Sequence, residues 1–329
     1  MRLRTQTQKN KMMSAFMKQL CLIYFTLDLH KMLNPLLPIK HWIYNRTIRN
    51  ELLPVIQEVA RNPEKSEGPK TVLSLALKSY AEGSAGDSIP PEVIEGVIRN
   101  VKIFLLGGHD TTASTIAFAY YYLSEHLEAM ARVRAEHDEV LGTDPAAAAE
   151  RIRASPALLN KLPYTAGVVK ESLRLSPPIS GTARQAPRGF MLTNPRTGAR
   201  YPVGEHFLVT GSVAGVQRDP RYWEEPDRFM PERWLVQDPA DPYYAGRQPG
   251  AFRPFEVGPR NCIGQELAHL ESRLALALTV REFDFLAMFP DDAPSVFGYR
   301  GYQVHLKDGF TTGHVKGRLP VKVKTRKVS

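Results

Sequence analysis

Cysteine is nearly absent from this chain: Cys21 and Cys262 are the only two in 329 residues. A secreted scaffold held by disulfides needs more, so the sequence gives no sign of an oxidising compartment. Long hydrophobic runs are missing too. The best stretch, Leu20 to Leu29, contains Asp28 and falls well short of the ~20 apolar residues that cross a bilayer as a helix. The opening MRLRTQTQKNKMMSAFMKQLCLIYF joins a basic start to an apolar run but has no small-residue cleavage site after it, which argues against a secretory signal. Acidic residues are in deficit, 34 against 43 Lys and Arg, for a net charge of +9. Nucleic-acid binding is one reading of that excess. The basic residues, many of them in HVKGRLPVKVKTRKVS, are not interleaved with aromatics and belong to no nucleic-acid module, so we expect no nucleic-acid partner. A solvated basic face, or one that steers an acidic protein partner, accounts for the charge better.

What is present is a hydrophobic content of 43%, enough for a sizeable core. The first ninety residues read as helices punctuated by proline, Met12 to Met32 and Ile39 to Arg61, with Pro35 and Pro38 breaking the chain between them. Cys21 reads as core packing, and Pro63 to Lys70 and Glu82 to Ser88 as polar loops. A long helix is expected from about Pro91 to Leu127, apolar nearly all round and therefore buried. Its polar island GGHDTT, Gly107 to Thr112, is costly there, and two glycines with two threonines should bend or widen the helix and open a pocket.

Next come an amphipathic helix over Glu128 to Leu141, whose Glu136 and His137 are given no role, an alanine-rich loop around Asp144 to Pro156, and a helix over Pro163 to Leu175. Short alternating strands follow from Ala183 to Val213, then an irregular proline-rich segment from Arg218 to Gly250. Strands and turns return over Phe283 to Val323. The expected fold class is mainly α with small β-sheets, as a single domain over residues 1–329.

The most informative stretch is FEVGPRNCIGQELAHLESRLALAL, Phe255 to Leu278, which puts Cys262 immediately before an amphipathic helix. A cysteine at a helix start lies among unpaired backbone N–H groups and the positive end of the macrodipole, a setting that favours a thiolate ligand. Arg260 adds a fixed positive charge, and Gly258 and Gly264 let the backbone turn tightly so that a large flat ligand can approach the sulfur. Cys262 is thus the candidate metal ligand.

Phe255, Gly258, Arg260, Cys262 and Gly264 fill the pattern FxxGxRxCxG, which resembles the haem-binding loop of the cytochromes P450. Two other places agree. KESLR, Lys170 to Arg174, is similar to that family's ExxR motif, with Glu171 and Arg174 on one helix face, and PERW, Pro231 to Trp234, is similar to its PERF, with Trp in place of the final Phe. The resemblance implies that Glu171, Arg174 and Arg233 form a buried structural ion-pair group, which is costly if one partner is lost. GGHDTT resembles [A/G]Gx[D/E]T[T/S] and implies catalytic roles for Asp110 and Thr111, an acid–alcohol pair able to relay protons through water during dioxygen activation.

The resemblance further implies haem b as cofactor, with Cys262 as axial ligand and Phe255 and Gly264 in the cradle. Arg260 and Arg184 are the candidates for its propionates, since a guanidinium binds carboxylates in a fork. His109 and His206 are not expected to be second axial ligands, because oxygen activation needs an open position. The implied activity is a monooxygenase using NADPH through a cytochrome P450 reductase or similar donor. Its substrate would be hydrophobic, contacted from Phe104 to Ala113, Pro178 to Ala183 and a turn near Gly309 to Gly313, whose residues are apolar or small.

LRLSPPISGTARQAP looks most like fungal members that tailor secondary metabolites. An isomerase, dehydratase or peroxygenase on the same fold, or an inactive fragment, are the alternatives. The family's early part, which in microsomal relatives holds the membrane anchor and first strands, is absent from these residues, so the expectation is a P450 fold lacking its N-terminal part. Such relatives sit on the endoplasmic reticulum membrane; the sequence does not place this chain.

Overall fold

In a computed structural model of the chain, the described residues are 10–25, 34–61, 75, 90–300, 304–306, 312–315 and 319–326. The expected loops Pro63 to Lys70 and Glu82 to Ser88, and the side chain of Cys21, lie outside them. Two compact units are present, Met1–His109 with Asp308–Phe310, and Asp110–Lys307 with Thr311–Ser329.

The first unit contains α1 (Lys11–Phe25), α2 (Leu36–Arg61) and the opening of α3 (Pro91–Glu125). Asn10 starts α1 by accepting the Met13 N–H at 3.2 Å, the usual service of a short polar side chain at a helix start. Met12 and Phe16, then Ile48, Leu52 and Ile56, then Val97 and Ile98 recur at helical spacing and form one buried cluster. Pro38 lies in the first turn of α2. There the N–H it lacks would have no intrahelical acceptor, so it is tolerated inside the helix rather than breaking the chain.

Through GGHDTT α3 runs on as one unbroken helix, Pro91–Glu125. Glycine in a helix interior costs only about 1 kcal/mol relative to alanine, too little to break a helix packed into a core at each end. Just past the island, Thr115 Oγ1 back-bonds to the Thr111 carbonyl at 2.9 Å. Nor is α3 buried all round, since Ile103 and Phe104 are exposed while Phe118, Tyr121, Tyr122 and Leu123 are buried.

The second unit packs α4 (Leu127–Leu141), α5 (Ala148–Ala154), α6 (Pro163–Leu175), α7 (Val213–Gln217) and α8 (Gln265–Thr279) with the end of α3. Phe118, Tyr122, Met130, Val133, Val168, Val169, Leu173, Phe229, Leu276 and Tyr299 share its main core. The segment expected as an alanine-rich loop contains α5, begun by a 3₁₀ turn whose Asp144 accepts the Ala146 N–H at 3.0 Å. Alanine is the best helix former but leaves no apolar period to read, and only Ala148 and Ile152 of α5 enter the adjoining core with Leu141, Leu159 and Leu162.

The sheets are small, antiparallel and two-stranded among the described residues. β1 (Gly181–Gln185) pairs with β4 (Leu208–Ser212) with Gly181 opposite Ser212. β2 (Met191–Thr193) pairs with β3 (Arg200–Pro202), β5 (Phe283–Ala287) with β10 (Val321–Thr325), β6 (Ser295–Val296) with β7 (Tyr299–Arg300), and β8 (Val304–Leu306) with β9 (Gly313–Val315). The mainly helical class with small sheets is therefore as expected. Among the described residues no helix is long and apolar enough to cross a membrane.

Candidate functional site

The site is founded on α6. Glu171 is fully buried and its carboxylate accepts five hydrogen bonds. Arg174 holds it in a fork, Nε to Oε2 at 2.9 Å and Nη2 to Oε1 at 2.8 Å. Arg233 Nε reaches Oε1 at 3.0 Å, Trp234 Nε1 reaches Oε2 at 3.0 Å, and the Met230 N–H reaches Oε1 at 3.1 Å. Arg174 uses its remaining N–H groups on the carbonyls of Gln217, Pro226 and Arg228, so its whole donor set is engaged.

Burial alone would raise the Glu171 carboxyl, but the Arg174 and Arg233 guanidiniums outweigh it and hold it below the usual carboxylate range. Burial pulls Arg233 downward from its usual value, yet a guanidinium starts so high that it stays charged. Gly167 makes the close approach possible: a Cβ there would stand 2.9 Å from the Pro231 carbonyl oxygen. The Trp234 indole N–H is a donor that phenylalanine could not supply, and nothing in PERW marks Glu171 as its target.

The residues of α4 expected to be idle are engaged. Glu136 accepts the backbone N–H groups of Tyr164 at 2.6 Å and Thr165 at 2.9 Å, and the Thr165 hydroxyl at 2.6 Å. It thereby caps the start of α6 from a neighbouring helix, where Leu162 offers no side-chain cap. His137 is fully buried, with Nε2 2.8 Å from Thr165 Oγ1. Because that hydroxyl gives its proton to Glu136, Nε2 must be the protonated nitrogen. Burial, reinforced by Arg281, pushes the imidazole down to about 4.

The cysteine loop is a set of nested turns. Glu256 N–H donates to the Arg253 carbonyl at 3.0 Å, Asn261 N–H to Gly258 at 3.1 Å, and Cys262 N–H to Phe255 at 2.8 Å. Gly258 has φ +82°, a conformation open to glycine and strained for other residues. Gly264 directly precedes α8, and a Cβ there would stand in van der Waals contact with Cys262 Sγ at 3.8 Å. The Phe255 ring lies against His269 of α8 at 5.1 Å between centroids. Glu256 ties the loop outward, accepting from Thr182 Oγ1 of β1 at 3.0 Å and from Arg253 Nη2 at 2.7 Å.

Cys262 itself is a free, exposed thiol, and Ile263 beside it is 90% exposed. A cysteine kept only for packing would be buried. A soft single donor at a helix start, bracketed by glycine and flanked by apolar surface, fits a metal held mainly by a flat macrocycle. Among the described residues no three His, Cys, Asp or Glu side chains assemble into a metal site.

Asp110 and Thr111 are neighbours on α3 and half-buried. Just beyond them Ser114 Oγ donates to the Gly313 carbonyl, and the Gly313 N–H donates to the Pro178 carbonyl at 2.7 Å. Three segments read as substrate-contacting, or their immediate neighbours, are thus joined at Gly313; residues 307–311 lie outside the described residues. Arg260 and Arg184 are exposed, Arg184 Nη1 donating to the Ala183 carbonyl at 2.9 Å. His109 is exposed, and His206 occupies a turn at φ +73° with Nδ1 2.9 Å from Gln185 Nε2.

The sequence profile of the family described as Cytochrome P450 matches residues 1–299, and the chain belongs to the cytochrome P450 family. The cytochrome P450 monooxygenase polC of Polytolypa hystricis is 35% identical, the match covering 97% of this chain and 58% of the relative. The cytochrome P450 monooxygenase acrF of Aspergillus aculeatus is 31% identical, covering 97% of this chain and 68% of the relative. Both relatives are longer than the chain. Among solved structures, a cytochrome P450 named CYP102L1 aligns with a TM-score of 0.73 at 23% identity, covering 98% of this chain and 66% of that one. At that identity the likeness concerns the fold.

Proposed function

We propose that this chain carries the haem-thiolate centre of a monooxygenase that oxidises a hydrophobic small molecule with electrons passed from NADPH by a reductase. The observation that carries the reading is Cys262, an exposed thiol set at the start of α8 by the Phe255 backbone bond. Cys262 Sγ would hold the haem iron, with Phe255 and Gly264 framing haem b. Arg260 and Arg184 would take the propionates, for which a guanidinium fork is suited. When bound, a thiolate-ligated haem supplies the electron density that favours cleavage of an O–O bond.

The chain's own part is to hold the thiolate, exclude water and move protons. Asp110 and Thr111 would hold a proton at the carboxyl and pass it through the hydroxyl or a water toward the reacting site. The Glu171, Arg174 and Arg233 group would serve assembly, since a fully buried and saturated carboxylate has no lone pair to spare for substrate. Residues near Gly313, Pro178 and Ala113 are small or apolar, which suits an apolar substrate. The two fungal monooxygenase relatives support a secondary-metabolite intermediate as its class.

The reading is tested by supplying the haem-loaded protein with a reductase, NADPH and isotopically labelled dioxygen across a panel of hydrophobic compounds. One labelled oxygen atom in a product supports it, and Thr111→Val should then raise the NADPH consumed per product. A rearranged or dehydrated product without label, formed without NADPH, would overturn it.

A further inference from the structure

Between the buried carboxylate of α6 and the exposed thiol of the cysteine loop stands a residue that neither motif contains. Gln217, the last residue of α7, is fully buried. Its Nε2 donates to two carbonyls at the end of α6, Leu173 and Arg174, each at 3.0 Å. Its Oε1 accepts the backbone N–H of Arg253 at 2.9 Å. Its own carbonyl accepts from Arg174 Nη1 at 2.9 Å. The last carbonyls of a helix have no intrahelical donor, and those of α6 are supplied by Gln217 and, at Leu175, by Arg218.

We infer that Gln217 is a positioning residue: its carboxamide fixes where the cysteine loop begins relative to the end of α6, and through the loop's own bonds it fixes where Cys262 stands. Arg253 is two residues before Phe255, whose carbonyl holds the Cys262 N–H. Arg253 also grips Glu256, and Glu256 holds Thr182 of β1. A shift at Arg253 is therefore passed to the thiol by a short run of hydrogen-bonded turns, with no soft side-chain contact between. A primary carboxamide is the side chain this place requires. It must donate twice to carbonyls and accept once from an amide, which neither an apolar side chain nor a hydroxyl of this reach can do. The consequence for the iron ligand rests on the haem-thiolate reading; the geometry does not.

Two variants separate positioning from support. Gln217→Met removes both the donors and the acceptor, whereas Gln217→Glu, kept protonated by burial beside two carbonyls, retains an oxygen facing the Arg253 N–H and one O–H donor toward α6. Hydrogen exchange of the haem-free chain reads the loop directly. In Gln217→Met the amides from Arg253 to Cys262 should exchange about tenfold faster, the scale of one lost buried hydrogen bond, while those of α4 keep their wild-type rates. In Gln217→Glu the loop amides should stay slow. In haem-loaded protein with carbon monoxide, Gln217→Met should shift the reduced spectrum from the thiolate toward the thiol form, and Gln217→Glu should not.

Unchanged loop exchange and an unchanged thiolate band in Gln217→Met would overturn the inference, as would loss of the band in Gln217→Glu. Should Gln217→Met fail to fold, Gln217→Glu decides by those same two readouts. If wild-type protein itself gives no thiolate band, the haem reading fails and the exchange comparison still decides on Gln217.

Discussion

Replacing Glu171 with leucine would leave the guanidiniums of Arg174 and Arg233 in the core without the carboxylate they share. The two arginines are 0% and 1% exposed, so water cannot take the place of the lost partner. Breaking a buried ion pair from one side costs about 3–5 kcal/mol, because the remaining charge is left uncompensated. Four of the five lost bonds come from groups left with no other acceptor, the Trp234 indole, the Met230 amide, Arg174 Nε and Arg233 Nε. The upper half of that range is therefore expected. For a unit of this size each kcal/mol moves the melting point by about 2–4 °C, which makes the fall about 8–20 °C.

Thermal melts followed by far-UV circular dichroism, with urea titrations for the free energy, measure it. The pH dependence has a fixed sign. Because the folded carboxyl is held below its usual value, its stabilisation is fully present above the unfolded value of about 4.3 and is lost as pH falls through the lower folded value. The variant should lack that acid-side loss. A penalty below about 1 kcal/mol would refute the account of α6 as the anchor of the site, since that is the worth of an exposed pair.

Other substitutions read other parts of the structure. Trp234→Phe should cost about 1.5–3 kcal/mol in urea titrations, the range for a hydrogen bond to a charged group, and a neutral result would mean the indole N–H is not needed. His137, held at about 4 against an ordinary 6.5, stays neutral in the fold and charges in the unfolded chain. Stability should therefore drop by about 3 kcal/mol as pH falls from the unfolded to the folded value, and His137→Gln should flatten that part of the curve. Alanine at two glycines should act with opposite sign. Gly108, in open space on α3, should gain up to about 1 kcal/mol in haem-free protein. Gly167, whose Cβ would meet the Pro231 carbonyl oxygen at 2.9 Å, should lose about 1–3 kcal/mol.

Where one segment decides its own structure, the sequence could be read. The helix over Pro163 to Leu175 has an opening proline, an apolar period and a closing Ser-Pro-Pro, and α6 has those bounds. The cysteine loop and the helix after it were legible because glycine spacing and the apolar stripe lie within one short stretch. The missed features depend on partners distant in sequence. Glu136 looks like any surface carboxylate until α6 brings two capless amides to it from 28 and 29 residues away. Gln217 ends a five-residue helix and nothing near it in sequence marks the carbonyls and amide it serves. That Gly107 and Gly108 leave α3 unbroken has the converse reason: a local weakness is outweighed by packing of the helix toward each end.

The proposed bond from Cys262 to a haem iron is read by the carbon monoxide difference spectrum of the reduced, haem-loaded protein beside that of Cys262→Ser. The strongly red-shifted Soret band of thiolate-ligated ferrous haem is expected in the wild-type chain and should disappear in the variant. A wild-type spectrum without that band, or one that Cys262→Ser leaves unchanged, would contradict it.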